Sequence, residues 1–419
     1  MLEYVLSNGV IVSPGKEVHT GDLGVKGERI FSPGGIASKS QKINLRKKSF
    51  VYPSLVNTHD HLQGNYRPAV GPKKGSFYLT WLPWDNDLKA SKIYEERSKL
   101  SREELYALSG YKCIFSGVTT VNDHFPHDLN SSILPTLPIR AIEEYCLAHE
   151  STSYDLKWGE GIEVEHQRAV KNNWPFITHL SEGFDYEAMH NLETLEKMNV
   201  LNDHCLFVHC IGFSDDDIKK VAKAGVSVSW CAKSNMFMFN VTAKIRKMIN
   251  EGVNVTIGTD SSATGSANLL AEMKYDRELY RSLYGEDLAP QKMFEMVTIN
   301  AAKAFRMQDK IGTLDEGKFG DILVVKAKNK DPYENLLELK MEDIELLVLA
   351  GTPIYGELRF LDIFKGKMPK GYTQIKVKRK EMFIKGDPAG LYGKVRKKVG
   401  FNKKLDYLPF EPTLPTAKG

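Results

Sequence analysis

Along the first 50 residues apolar and polar positions alternate, as in Tyr4-Val5-Leu6-Ser7 and Leu23-Gly24-Val25-Lys26, with glycines and prolines breaking the runs. A period of two bounded by turn formers predicts short strands joined by hairpins. From about residue 51 the pattern changes. Short apolar runs at 51–58, 117–123, 176–180, 205–210, 225–230 and 253–259 predict strands. Between them, stretches at 91–114, 185–198, 214–224, 242–251, 268–284 and 290–305 predict helices, several behind a Ser, Asp or Thr that can cap. Strands alternating with helices predict an α/β fold, and the best fit is a (β/α)8 barrel of the TIM type over residues 51–310. From Ile311 to Val325 the chain returns to short strands separated by turns. These are expected to rejoin the first 50 residues, so that 1–50 and 311–364 form one small β-sandwich domain. Residues 124–175 leave little room for the third and fourth βα units, each of which normally takes about 30 residues. The barrel is therefore expected to be distorted on that side.

Of the 419 residues, 42% are hydrophobic and 26% charged, which is ordinary globular usage and excludes a disordered or collagen-like chain. The longest apolar runs, such as Leu346 to Ala350, fall far short of the roughly 18 residues of a membrane span. The five cysteines are an odd number lying mostly in apolar segments, so no disulfide framework is implied and a cytoplasmic protein is expected. The net charge of +4 hides an uneven spread. Residues 365–419 hold 15 Lys or Arg against 4 Asp or Glu, a net of +11, which marks a basic C-terminal extension. Basic residues interleaved with Tyr372, Phe383, Tyr392 and Phe401 suit phosphate neutralisation and stacking. One tail is not a shaped nucleic-acid domain, however, and the simpler reading is a solvated appendage packed on its own body or a second subunit, with no nucleic-acid or membrane partner.

The chemistry concentrates at strand ends. His59-Asp60-His61 closes the first apolar run, and residues two apart on a strand share a face, so both imidazoles can address one ion while Asp60 points away. His179 ends the run Phe176-Ile177-Thr178, His209 ends Leu206-Phe207-Val208, and Asp260 follows Val253 to Thr259. In a barrel these positions converge on one mouth, where such folds place catalysis. Imidazoles and a carboxylate suit Zn²⁺ or Fe²⁺.

The motifs resemble those of the amidohydrolase superfamily, and within it the chlorohydrolase/deaminase branch that includes cytosine, guanine and S-adenosylhomocysteine deaminases. Asn57 to Leu62 matches the branch's His-x-His element, with Asp60 an unusual middle residue. Thr178 to Glu182 matches His-x-x-Glu, Val208-His209-Cys210 matches His-Cys, and Gly258-Thr259-Asp260 matches Gly-Thr-Asp. Cys231 to Asn235 matches Cys-Pro-x-Ser-Asn with Ala232 in place of proline. The resemblance implies one divalent ion, zinc with iron as the alternative, held by His59, His61, His179 and Asp260. It implies Glu182, His209 and Asp260 as the catalytic groups: Asp260 takes a proton from the attacking water, Glu182 carries protons to the ring, and His209 stabilises the tetrahedral centre. Relatives are often dimers or larger, which makes a homo-oligomer the corresponding expectation.

Substrate contacts are expected from Gln63 and Trp81, in a stretch rich in aromatics that covers the pocket in similar enzymes, and from His124 and His149, which follow apolar segments. Ser234 and Asn235 are read as structural, and His127, His166, His190 and His204 as surface residues. The leading reading is a metal-dependent hydrolytic deaminase of a small aminated heterocycle such as a nucleobase, nucleoside, pterin or triazine. Two alternatives stand beside it: a cyclic-amide or halide hydrolase using the same site, and a non-catalytic metal-binding protein whose basic tail associates with nucleic acid.

Overall fold

The computed structural model describes residues 2–35 and 40–411. Eight short parallel strands carry the site: β1 (Leu55–Asp60), β2 (Val118–Asp123), β3 (Arg140–Ala141), β4 (Cys146–Leu147), β5 (Phe176–Leu180), β6 (Cys205–His209), β7 (Ser227–Trp230) and β8 (Asn254–Ile257). They form two ladders, β1-β2-β3 and β4-β5-β6-β7-β8. β8 meets β1 through side chains: Thr58 Oγ1 lies 2.9 Å from Thr256 Oγ1 and 2.8 Å from Ser229 Oγ. The other seam, between β3 and β4, is where the sequence left too little chain. Both strands are two residues long, and only residues 142–145 join them, with no helix between. The result is a TIM-type barrel distorted on one side.

Strand residues are buried at nearly every position, polar ones included, because helices cover the outside and side chains fill the inside. The helices follow their caps. The stretch at 91–114 is broken into Lys92–Arg97 and Arg102–Ile114, because Ser101 and Glu104 form a reciprocal capping box that starts a new helix. The stretches at 185–198 and 290–305 are likewise each two helices, Tyr186–Met189 with Asn191–Lys197 and Pro290–Met296 with Ile299–Ala304, and the one at 242–251 begins only at Ile245.

The apolar run at 51–58 serves two sheets. Ser49–Pro53 belongs to a large sheet and Leu55–Asp60 to the barrel, with Ser54 as the break, its amide donating to the Asp321 carbonyl at 3.0 Å. The small sandwich expected from the sequence is larger than its predicted bounds: a ten-stranded, mainly antiparallel sheet in which Ser49–Pro53 pairs with Ile322–Lys326, uniting N- and C-terminal segments. Its alternation sorts two cores. Val51, Val324, Leu346 and Val348 face one, while Phe50, Tyr52, Leu323, Val325 and Leu347 face the core shared with the barrel.

The basic segment is no free appendage. The hairpin Tyr372–Val377 with Lys380–Lys385 extends the large sheet beside Thr352–Glu357. Helix Pro388–Val399 then returns the chain to the barrel, where Tyr407 is wholly buried and donates to the Asn65 carbonyl at 2.8 Å. Four of the segment's basic side chains pair with the protein's own acids: Lys380 with Glu357, Arg396 with Glu411, Lys398 with Glu104 and Lys403 with Glu96. Residues 412–419 of that segment, like 1 and 36–39 of the N-terminal one, lie outside the described residues. Among the described residues no helix is long and apolar enough to cross a membrane, and all five cysteines are buried free thiols.

Candidate active site

His59, His61, His179, His209 and Asp260 meet at the C-terminal ends of β1, β5, β6 and β8, with His124 from β2 beside them. Close approach makes this convergence dependent on Gly258, where a Cβ would lie 2.5 Å from Ser229 Oγ and 2.7 Å from the His59 Cβ. His209 and Asp260 both have φ in the left-handed region, 72° and 53°, as does Ser181 at 52°. For residues with a Cβ this backbone is sparsely populated and costly, and such residues cluster at functional sites.

Each imidazole is oriented from behind. His179 Nδ1 donates to the His149 carbonyl at 2.9 Å, and its Nε2 lies 3.3 Å from His61 Nε2. His209 Nδ1 donates to Asn235 Oδ1 at 2.8 Å, which leaves its Nε2 lone pair facing Glu182 Oε1 at 3.5 Å. His124 Nε2 donates to the Ala148 carbonyl at 3.0 Å. Asp260 Oδ2 accepts from Ser234 at 2.6 Å and Thr264 at 3.0 Å, and its Oδ1 stands 4.0 Å from His59 Nε2 and 3.9 Å from His61 Nε2. Ser234 and Asn235 are thus structural in a specific sense: they aim the carboxylate and the imidazole.

Both ring nitrogens of His59, His209 Nε2 and His124 Nδ1 are buried with no hydrogen-bond partner. Buried polar atoms are rarely left so, and several lone pairs directed at one volume are the signature of a cation's place. One atom from each of His59, His209 and Asp260 lies within 4.8 Å of the others, as does one from each of His59, His124 and His179. The residues therefore fit a divalent metal ion.

The electrostatics agree. Burial, followed by the neighbouring imidazoles, pushes His59, His124 and His179 well below the ordinary imidazole range, and burial likewise lowers His209, so neutral rings with available lone pairs are favoured. For Asp260 burial acts upward, but His61, His209 and the Ser234 and Ser261 donors outweigh it and hold the carboxyl below its usual value. Glu182 goes the other way: burial first, then Asp260 and Glu150, raise it well above the usual carboxyl range.

A cavity of about 340 Å³ opens onto this cluster, lined by His61, Gln63, Trp81, His149, Glu182 and Asp260 among others. Trp81 is fixed by its indole N–H donating to Glu150 at 2.7 Å and by edge-on contact with the His149 ring at 4.6 Å. His124 departs from the expected substrate contact. It does not line the cavity; it is wholly buried, its ring stacked on His179 at 4.3 Å and its Nε2 held by the Ala148 carbonyl. His166, read as a surface residue, is buried against Phe176. Sequence reasoning missed Phe125, Leu156, Trp158 and Met238, which complete the walls, and Arg97 at the cavity's outer part. It also missed Lys112, whose Nζ lies 2.7 Å from Asp60 Oδ2 and explains the unusual acid between the two histidines. A lysine set between Tyr111 and the apolar pair Cys113-Ile114 was the available signal. A larger hollow of about 580 Å³ beside Arg140, Glu143, Trp174 and Arg306 contains none of the converging residues.

Comparison with known proteins gives one picture. The amidohydrolase family profile matches residues 167–354. A 5-methylthioadenosine/S-adenosylhomocysteine deaminase of Caldicellulosiruptor saccharolyticus is 26% identical over 385 residues, 81% of this chain and 89% of that protein. An S-triazine hydrolase of Gordonia rubripertincta is 28% identical over 305 residues, 70% of this chain and 62% of that protein. Among solved structures, an adenosine deaminase from Xanthomonas campestris with bound zinc superposes with a TM-score of 0.67 at 17% identity, covering 84% of this chain and 92% of that one. At that identity the likeness concerns the fold.

Proposed function

From the match of residues 167–354 to the amidohydrolase family profile we propose that the chain is a member of that family, a metal-dependent hydrolase that removes the amino group of a small heterocycle with water. The observation that carries this reading is the convergence of orphaned imidazole nitrogens with Asp260 and Glu182 at the floor of an aromatic-walled cavity. In this reading His59, His61, His179 and Asp260 hold one divalent ion, zinc with iron as the alternative. Bound there, a divalent ion would supply the acidity that brings the pKa of water to about 7 and so makes a nucleophile at neutral pH. The chain's own groups do the rest. Asp260, kept anionic by its donors, accepts the proton of the attacking water. Glu182, within reach of His209 and open to the cavity, delivers protons to the ring nitrogen and the leaving amine. His209, held by Asn235, stabilises charge at the tetrahedral carbon. Trp81, Trp158 and Phe125 take the faces of a flat ring, with Gln63 and His149 as polar contacts.

The relatives support this class of substrate, since they include deaminases of adenosine-like compounds and a triazine hydrolase. In this reading residues 55–310 form the catalytic barrel, and the composite sheet and C-terminal segment form its scaffold. Free buried thiols favour the cytoplasm. The deciding experiment is ammonia release from a panel of aminated purines, pyrimidines, pterins and triazines, with protein loaded separately with Zn²⁺ and Fe²⁺. Release from any ring supports the reading. Silence across the panel with one metal bound per chain would shift the assignment to cyclic-amide or halide hydrolysis.

A further inference from the structure

The cavity's outer part differs chemically from its floor. Helix Trp81–Lys89 and helix Lys92–Arg97 bring Trp84, Asp85, Lys89, Tyr94 and Arg97 to its lining. The acids there are already committed. Asp85 is paired with Lys89 at 2.5 Å, and Glu96 accepts from Lys403 Nζ at 2.5 Å and from the Tyr66 hydroxyl at 3.3 Å. Arg97 differs: among the described residues no carboxylate lies within ion-pair distance of its guanidinium, which lies over the Tyr94 ring at 4.8 Å, is hydrogen-bonded to Tyr94 and feels Asp85 only from beyond that distance. Burial of this group is sufficient to depress its pKa. A guanidinium cannot shed its proton at neutral pH, and its rigid fork of donors matches the oxygens of a carboxylate or phosphate. A half-buried guanidinium that lines a cavity with no carboxylate in ion-pair contact keeps donors free for an anion that enters.

We propose that the substrate carries an anionic oxygen group, carboxylate or phosphate, and that Arg97 binds it at the outer end of the cavity while the ring occupies the aromatic walls. This rests on the reading of the cavity as the substrate pocket. It makes Arg97 a specificity-determining residue and divides the pocket into a reacting end, at His61, Glu182 and Asp260, and a recognising end.

The test uses matched aromatic pairs that need no turnover: benzoate against benzamide, and phenyl phosphate against phenol. Binding to the metal-loaded full chain is read by quenching of indole fluorescence, to which Trp81, Trp84 and Trp158 contribute from the cavity wall. The anion of at least one pair is expected to bind about tenfold or more tightly than its neutral partner. The preference should fall to near unity in Arg97→Gln. Arg97→Lys, which keeps charge without the fork, should retain a phosphate preference and lose most of a carboxylate preference. The pair that shows the effect identifies the anion. Equal binding of both members of both pairs by the unaltered protein would overturn the proposal. So would a preference that survives Arg97→Gln, since the anion would then be held elsewhere, for example by the metal. If Arg97→Gln does not fold, Arg97→Met, which keeps the length of the side chain without its charge, decides: unchanged preferences in both pairs overturn the proposal. Ammonia release is scored separately, so an anion preference in a protein inactive on every amine would leave Arg97's role standing while the deaminase reading fell.

Discussion

Lys112 offers a sharp test of how the site is held. Its side chain is 2% exposed and that of its partner Asp60 fully buried. The ammonium donates to Asp60 at 2.7 Å, Asn65 at 2.8 Å and Thr259 at 3.2 Å, so one cation ties β1, the loop after it and the end of β8. Lys112→Met keeps most of the volume and removes the charge, leaving the Asp60 carboxylate buried with only the amide and hydroxyl donors of Asn57, Asn65 and Thr259. Breaking a buried pair from one side costs about 3–5 kcal/mol, a large share of a stability of roughly 5–15 kcal/mol. Adding Asp60→Asn removes the stranded charge, and the double variant should recover about 2 kcal/mol or more of that loss. Because Asp60 lies between His59 and His61 and Thr259 precedes Asp260, metal affinity should also fall about 10–100-fold in Lys112→Met, the usual effect of losing a group that orients ligands. Urea unfolding of the metal-free protein gives the stabilities, and chelator competition gives the affinities. A loss under about 1 kcal/mol for Lys112→Met, or a double variant no more stable than the single, would refute the reasoning.

Glu182→Gln should bind metal with unchanged stoichiometry and lose at least about 100-fold in turnover, the scale of a general acid–base group; near-normal turnover on an active substrate removes Glu182 from the mechanism. Burial pushes Glu150 up to about 7, so the folded protein holds a proton that the unfolded chain releases near pH 4.5. Stability from this group is therefore greatest below the unfolded value and falls as pH rises towards 7, by roughly 1–3 kcal/mol. Glu150→Gln should flatten that fall in denaturation curves between pH 5 and 7; an identical slope would show that Glu150 is not its source. Ending the chain at residue 364 strips Tyr392, Val395, Tyr407 and Phe410 from the core. At about 1.5–3 kcal/mol per buried side chain, this should lower Tm by at least about 10 °C or prevent folding. A truncated protein melting within a few degrees of the full chain would show the segment to be dispensable.

The sequence by itself determined the barrel and the main cluster. Side-chain period and strand length are local properties, and the strand ends of such a barrel converge on one mouth, so His59, His61, His179, His209 and Asp260 were legible without coordinates. The crowding near residue 140 was legible too, because chain length is a hard limit on how many units fit. Tertiary structure alone decided what reaches the site from elsewhere. Lys112 comes from a helix between β1 and β2, Trp158 from the irregular stretch after β4, and Arg97 from the end of a short helix; no periodicity marks any of them, since their roles depend on how distant segments pack. His124 shows the boundary well. Its position at a strand end was readable, but whether the ring would face the cavity depended on its packing against His179 and on the Ala148 carbonyl that captures Nε2. The same holds for the basic segment. Its charge was plain in the sequence, while its hairpin and helix found their place only because the sheet edge at Thr352–Glu357 and the surface near Asn65 gave their apolar faces something to cover.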